Sequence, residues 1–266
     1  MSEPAGDAGR LLVDEPAPAV ARLTISNPQR RGALDHAVLD AFAATLPRLD
    51  ARCVIITGQD DIFSAGYDLG GLREEMLPEE ADQLVAHPFA AALDAVAAYP
   101  YPTLAVLNGH AIGGGLELAL ACDLRLAATT IKLGMPPAKL GLIYSHTGIG
   151  KFIETVGAPR TRELFLLGRR IDAPTAVQWG LVNSAIEPGE LTDHALALAT
   201  EIAGNAPLAQ LGNKRIIREL LATEMALDPE TERELLDLRR SSFSTEDFRE
   251  AVRAFAEKRP PRWQGR

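Results

Sequence analysis

Asn108-Gly109-His110-Ala111-Ile112-Gly113-Gly114-Gly115-Leu116-Glu117-Leu118-Ala119-Leu120-Ala121-Cys122-Asp123 is the stretch whose reading decides the fold. The apolar run Thr103–Leu107 precedes it and reads as a buried strand, and the glycines open into a helix through Cys122. Three consecutive glycines at a helix start destabilise it by roughly 0.5–1 kcal/mol each relative to alanine, so a compensating use is expected. The same order occurs upstream. Val54–Thr57 reads as a buried strand ending at Gly58, and a loop from Gln59 to Leu72 holds Phe63-Ser64-Ala65-Gly66-Tyr67-Asp68. A helix-biased stretch, Pro78 to Ala98, follows, interrupted near Pro88. Two strand–loop–helix units in a row predict βα crossovers and a mainly parallel sheet. Either loop alone is explained by a tight strand-to-helix turn. Together they could converge two backbone N–H groups on one oxygen, which is the construction of an oxyanion hole. Neither loop carries Gly-Lys-Ser/Thr, and neither gives Gly-x-Gly-x-x-Gly with an acidic residue about 20 positions on.

Further out, Leu11–Val13 and Val20–Ile25 read as a hairpin turning around Asp14-Glu15-Pro16-Ala17-Pro18. Asp35 is an N-cap for a helix through Leu49. Leu124–Ala127, Ile131–Leu133 and Leu181–Ala185 are short strands. From Thr147 onward the pattern turns helical: Thr147–Val156, Pro159–Leu167, Thr175–Gly180, Glu190–Asn205, Pro207–Met225, Pro229–Ser241 and Thr245–Lys258. The expected organisation is an α/β core over residues 1–190 and a helical C-terminal region over 191–266.

The 266 residues, 47% hydrophobic and 24% charged, have the composition of a soluble globule rather than a disordered or collagen-like chain. Net charge is −9, the wrong sign for a general nucleic-acid or anionic-membrane binder, although a local basic patch could hold one small anion. The two cysteines, Cys53 and Cys122, sit in apolar runs and read as buried reduced thiols. No secretory signal and no membrane-length apolar run is visible, so a cytoplasmic enzyme is expected. No His, Cys, Asp or Glu cluster has metal-ligand spacing, and no metal is expected.

The Phe63–Leu69 and Asn108–Asp123 motifs, taken as a pair, resemble the crotonase superfamily, the enoyl-CoA hydratase/isomerase family. The likeness runs from Asn27-Pro28 through Ala173–Leu181 to the tail Phe255–Trp263. It implies a crotonase-like ββα spiral core with a helical C-terminal trimerisation region, hence a homotrimer or a hexamer made of two trimers. It implies an acyl-CoA substrate whose thioester oxygen is bound by the amides of Tyr67 and Gly114. Coenzyme A enters as part of the substrate, and no separate cofactor is implied. Ser64, Ala65, Gly66, Asp68, Leu69 and Gly70 would line the adenine and pantetheine path, and Gly113, Pro136 and His146 are further candidate contacts to CoA or substrate. Tyr67 enters through its amide, and its ring is packing or pocket wall. Arg30, near the nucleotide edge, and Lys258, in a tail that can reach a neighbouring subunit's ligand, are candidate phosphate partners or solvated charges.

Members of the family share enolate stabilisation but not one reaction. Glu117 matches one of the two glutamates of the hydratases. The second falls at Pro137, within Met135-Pro136-Pro137-Ala138-Lys139-Leu140-Gly141, and proline can neither give nor take a proton. That segment, continued to Tyr144, resembles the family's methylmalonyl-CoA decarboxylases, as do Ser64–Asp68 and Glu257–Pro260. The likeness implies that Tyr144 orients a substrate carboxylate. An ionised Glu117 would repel such a carboxylate, so it must be protonated or turned away. The alternative is a hydratase or isomerase that uses Glu117 as its only carboxylate, with Tyr144 or His146 as a second polar contact. A third reading is a non-catalytic crotonase-fold binding protein, against which the glycine triplet and Glu117 both speak.

Overall fold

The computed structural model describes residues 8–68, 78–224 and 226–266. Its principal sheet has six strands in the order β1 (Arg10–Ala17), β2 (Val20–Ser26), β3 (Cys53–Gly58), β4 (Thr103–Leu107), β6 (Leu124–Ala128) and β9 (Ser184–Ile186). Only β1–β2 is antiparallel. A second sheet joins β5 (Ala111–Ile112), β7 (Lys132–Gly134) and β8 (Arg170–Asp172). Every residue of β4 is buried, and so is all of β3 except Thr57. This is why both segments are continuous apolar runs rather than alternating ones: both faces of these parallel strands are covered.

The helices are α1 (His36–Thr45), α2 (Pro78–Ala98), α3 (Gly114–Ala121), α4 (His146–Leu167), α5 (Ala173–Gln178), α6 (Leu191–Gly204), α7 (Pro207–Glu224), α8 (Pro229–Ser242) and α9 (Glu246–Ala256). All eight residues of α3 are buried. Helix α6 packs across β3, β4 and β6. Lys214 of α7 reaches back to Tyr101 O (2.9 Å) and Asp123 Oδ2 (2.7 Å), tying the C-terminal helices to the core. Cys53 and Cys122 are buried and unbridged, and burial pushes both thiols up to about 12. They are therefore inert at neutral pH.

Three expectations are corrected. The hairpin turns at Pro18-Ala19, with Ala19 at φ 60, and β1 runs on to Ala17. Pro16 is tolerated because β1 is an edge strand whose register shifts between Asp14 and Ala17. Helix α2 continues through Pro88 instead of breaking there. The first helix ends at Thr45 and continues only as a 3-10 turn, Leu46–Arg48, which contains Pro47. The expected break between the helices near residues 157–159 is present, at Gly157 with φ 73 and ψ 163.

Asp35 caps α1 by accepting from Val38 N (3.0 Å), and its other oxygen takes Gly9 N (2.7 Å) and Asn27 Nδ2 (3.3 Å). Asp35→Ala should therefore cost about 1–2 kcal/mol in urea unfolding, in the upper part of the range for a lost cap.

Candidate active site

The two glycine loops meet. Ser64 N donates to His110 O and Ile112 N to Ser64 O, both at 3.1 Å, so the Phe63–Asp68 loop is stitched to the start of the second motif. Ala65 N donates to Arg31 O, Gly66 N to Ser64 Oγ, and Asp68 N to Leu34 O. Tyr67 stands between these anchored amides. Gly66 has φ +101, and a Cβ there would lie 3.2 Å from Gly114 N. A Cβ on Gly114 would lie 3.2 Å from Tyr67 N and 3.1 Å from Phe89 Cζ. The amides of residues 67 and 114 thus border one cleft. Gly114 is the first residue of α3, where an N–H has no intrahelical acceptor.

Each glycine of the triplet has its own reason. Gly113 caps α3 at φ +55, Gly114 borders the cleft, and a Cβ on Gly115 would strike Ser64 at 2.6 Å. That is the compensating use the destabilised helix start demanded.

The cleft is a cavity of about 130 Å³. Ala65, Gly66, Tyr67, Gly113, Gly114, Glu117, Pro136 and Tyr144, all singled out from the sequence, line it together. Pro137, in the place of a second carboxylate, is also on the wall. Phe89, Ile112, Leu140, Ile143, Ser145, Arg239 and Phe243 are the other described residues that line it. No local motif marks Phe89, Arg239 or Phe243, which tertiary packing of α2 and α8 brings in. The one available signal is Arg239 at helical spacing from Leu235, Leu236 and Phe243.

The other candidates lie elsewhere. Ser64 is buried under the loop and shapes it through Gly66 N. Asp68 pairs with Arg30 at 2.5 Å, outside the lining. His146 opens α4 and faces Glu232 at 3.8 Å. Lys258 is exposed beyond α9. Leu69 and Gly70 lie outside the described residues.

Two side-chain systems give the cavity its polarity. The Tyr144 hydroxyl donates to Glu117 Oε2. Glu117 is 2% exposed, and burial raises its pKa above the usual carboxylate value, opposed by the Tyr144 hydrogen bond and by the cations Lys151 and Arg239. Burial, reinforced by Glu117, also lifts Tyr144 well above the ordinary phenol value, so its hydroxyl keeps its proton. Helix α4 starts against this pair: a Cβ on Gly148 would lie 2.7 Å from Glu117 Oε1. Separately, the Tyr67 hydroxyl hydrogen-bonds His36 Nε2 at 3.1 Å, and its ring meets Phe89 edge to face. Burial and the nearby Asp68 and Asp35 push Tyr67 up to about 12. The ring is thus a fastened pocket wall, and the fastening fixes the residue that carries one of the two cleft amides.

Residues 15–266 match the family described as Enoyl-CoA hydratase/isomerase. A Bacillus subtilis protein named for enoyl-CoA hydratase/isomerase, YngF, is 34% identical over 254 residues, covering 92% of this chain and 95% of that protein. A methylmalonyl-CoA decarboxylase solved with 2-nitronate-propionyl-CoA superposes with a TM-score of 0.88 at 26% identity, over 97% of this chain and 99% of the other. An enoyl-CoA hydratase from Bacillus anthracis superposes at 0.74 with 30% identity, over 97% and 100%.

Gly114→Ala should leave the fold in place, since the Phe89 ring can yield, while crowding the space beside Tyr67 N. Turnover is expected to fall about 100-fold or more with an unchanged circular dichroism spectrum. Glu117 also links stability to pH. Its folded pKa is raised, so the stability it contributes is full below the unfolded carboxyl pKa and is lost as pH rises through the folded value. Chemical denaturation across pH should show the wild type falling behind Glu117→Gln on the alkaline side and converging with it in acid.

Proposed function

Because the chain belongs to the enoyl-CoA hydratase/isomerase family, its shared step is stabilisation of a thioester enolate, and we propose that this step serves decarboxylation of a 2-carboxyacyl-CoA of the methylmalonyl type. The observation that carries the proposal is the set of proton-transfer groups on the wall. Pro137 stands where a second carboxylate would be needed for two-carboxylate hydration, and the buried Glu117 is engaged by Tyr144. The structural likeness to methylmalonyl-CoA decarboxylase supports the same reading.

In this reaction the bond between C2 and the carboxylate breaks. Its electron pair moves into the thioester carbonyl, and CO2 leaves. The negative oxygen of the enolate is met by the amides of Tyr67 and Gly114, which need no reorganisation as charge develops. No base is required to begin, and a proton from water or from the Tyr144–Glu117 pair completes the product at C2. A protonated Glu117 does not repel the substrate. It can donate to the Tyr144 oxygen and leave the tyrosine hydrogen for the substrate carboxylate. Apolar neighbours such as Ile112, Phe89 and Ile143 favour dispersal of the carboxylate charge.

A second reading is hydration or double-bond isomerisation by Glu117 alone. The enoyl-CoA hydratase/isomerase names of the relatives favour it. One pair of substrates separates the two: CO2 release from methylmalonyl-CoA, and loss of conjugated absorbance from crotonyl-CoA. Under decarboxylation, Tyr144→Phe lowers CO2 release about 10- to 100-fold, the worth of one hydrogen bond to a charged group. Glu117→Gln retains activity and flattens the alkaline limb, where wild-type activity falls as Glu117 gives up its proton. Under hydration, Glu117→Gln removes turnover by about 100-fold or more. Turnover of neither thioester, with binding retained, would favour the non-catalytic reading.

The proposed assembly is a homotrimer, or two trimers paired. Leu208, Ile216, Ile217 and Leu220 of α7 are all more than half exposed, and such a patch suits a subunit contact. Sedimentation equilibrium should give three or six times the chain mass, and a monomer would contradict this.

A further inference from the structure

Residues 259–266 fold back on α9. The guanidinium of Arg259 forks onto Glu250 of that helix, Nη1 donating to Oε1 at 2.5 Å and Nη2 to Oε2 at 3.0 Å. Arg262 N donates to the same Oε1 at 2.8 Å. One turn earlier, Asp247 accepts from Gln264 N and from Gly265 N (3.0 Å), and its own N–H donates to Arg266 O at 3.2 Å. Glu250 is 8% exposed, and a carboxylate so buried is tolerated only where donors replace its water. The Arg259 hydrogen bonds, helped by Arg262 N, hold its carboxyl at about 2, so the clamp keeps its charge through the neutral range.

The part of α9 fastened in this way stands behind the cavity. Phe248 is buried and meets Phe243 edge to face, with ring centroids 5.3 Å apart, and Phe243 lines the cavity. The 3-10 turn Pro137–Leu140, which gives Pro137 and Leu140 to the same wall, packs on α9. That turn ends at Gly141, φ +62, where a Cβ would lie 3.1 Å from Asp247 O and 3.4 Å from Phe248 N. Backbone meets backbone at this joint, so a shift of α9 passes to the wall with no side chain to absorb it. Residues 259–266 themselves do not appear among the described lining residues.

We propose that the Glu250–Arg259 clamp is a positioning device for the cavity: by binding the C-terminal tail to α9 it holds Phe243 and the Pro137–Leu140 turn in place, and so limits the length of acyl chain that the site accepts. Glu250 and Arg259 are positioning residues that act through α9. The inference needs an acyl-CoA thioester in the cavity and holds for decarboxylation and hydration alike.

The test uses two unreactive thioethers, propyl-CoA and hexyl-CoA. Their dissociation constants are measured calorimetrically on the full chain for the wild type, Glu250→Gln, Arg259→Lys and a control, Asp172→Ala. The control removes the α5 cap, in which Asp172 accepts from Thr175 N at 3.0 Å, and so weakens the fold away from α9. In Glu250→Gln the affinity for hexyl-CoA relative to propyl-CoA should rise about fourfold for each methylene group that the relaxed wall newly admits. Arg259→Lys keeps the charge but not the fork, so it should move the ratio part of the way, and it carries the comparison should Glu250→Gln not fold. Asp172→Ala should lower the urea midpoint and leave the ratio where it is. A ratio that stays at the wild-type value in the clamp variants, moves towards the shorter chain, or moves equally in Asp172→Ala overturns the proposal. The decarboxylase reading fails separately, if methylmalonyl-CoA releases no CO2, and these ratios do not depend on that result.

Discussion

The approach of two backbone segments, Gly66-Tyr67 and Gly113-Gly114, governs this molecule. Any side chain crowds the space between them, since a Cβ on either Gly66 or Gly114 would come within 3.2 Å of the facing amide nitrogen. The approach depends on two adjacent parallel strands, β3 and β4, releasing their loops at the same end of the sheet. It also depends on the short bridge between Ser64 and Ala111 that clamps those loops together. The fully buried α3 then aims its N-terminus at the gap. Fold and chemistry share this constraint, which is why three glycines persist where propensity alone would favour alanine.

Around that gap the side chains set the charge. Glu117 is carried on a helix with no exposed residue, so the cavity can accept its carboxyl group most readily as the neutral acid. Tyr144 is the partner that keeps it oriented, and α4 abuts both through Gly148. Arg239 arrives from the C-terminal helices to line the same cavity, and its charge opposes the rise in the Glu117 pKa. The result is a largely apolar pocket with few polar groups beside the two amides.

Much of this was legible in residue order because the chemistry is local. Tyr67, Gly114 and Glu117 lie in two short motifs, each bounded by an apolar run long enough to mark a buried strand. The break at Gly157 was visible because Pro159 follows it. What escaped was non-local or tolerated by context. The strands β5 and β8 have two and three residues, too few to show a periodicity. Pro16 looked like a turn residue, but an edge strand with shifted register accommodates it. Pro88 looked like a break, but α2 carries it internally. Phe89, Phe243 and Arg239 reach the cavity only through packing between helices far apart in sequence.

The most direct measurement is the structure of the protein with 2-nitronate-propionyl-CoA, whose nitronate mimics the charge and planarity of the enolate. Its thioester oxygen, the counterpart of the enolate oxygen, should sit about 2.7–3.1 Å from the amide nitrogens of both Tyr67 and Gly114. A thioester oxygen bound elsewhere in the cavity, or held by only one of these amides, would contradict the account.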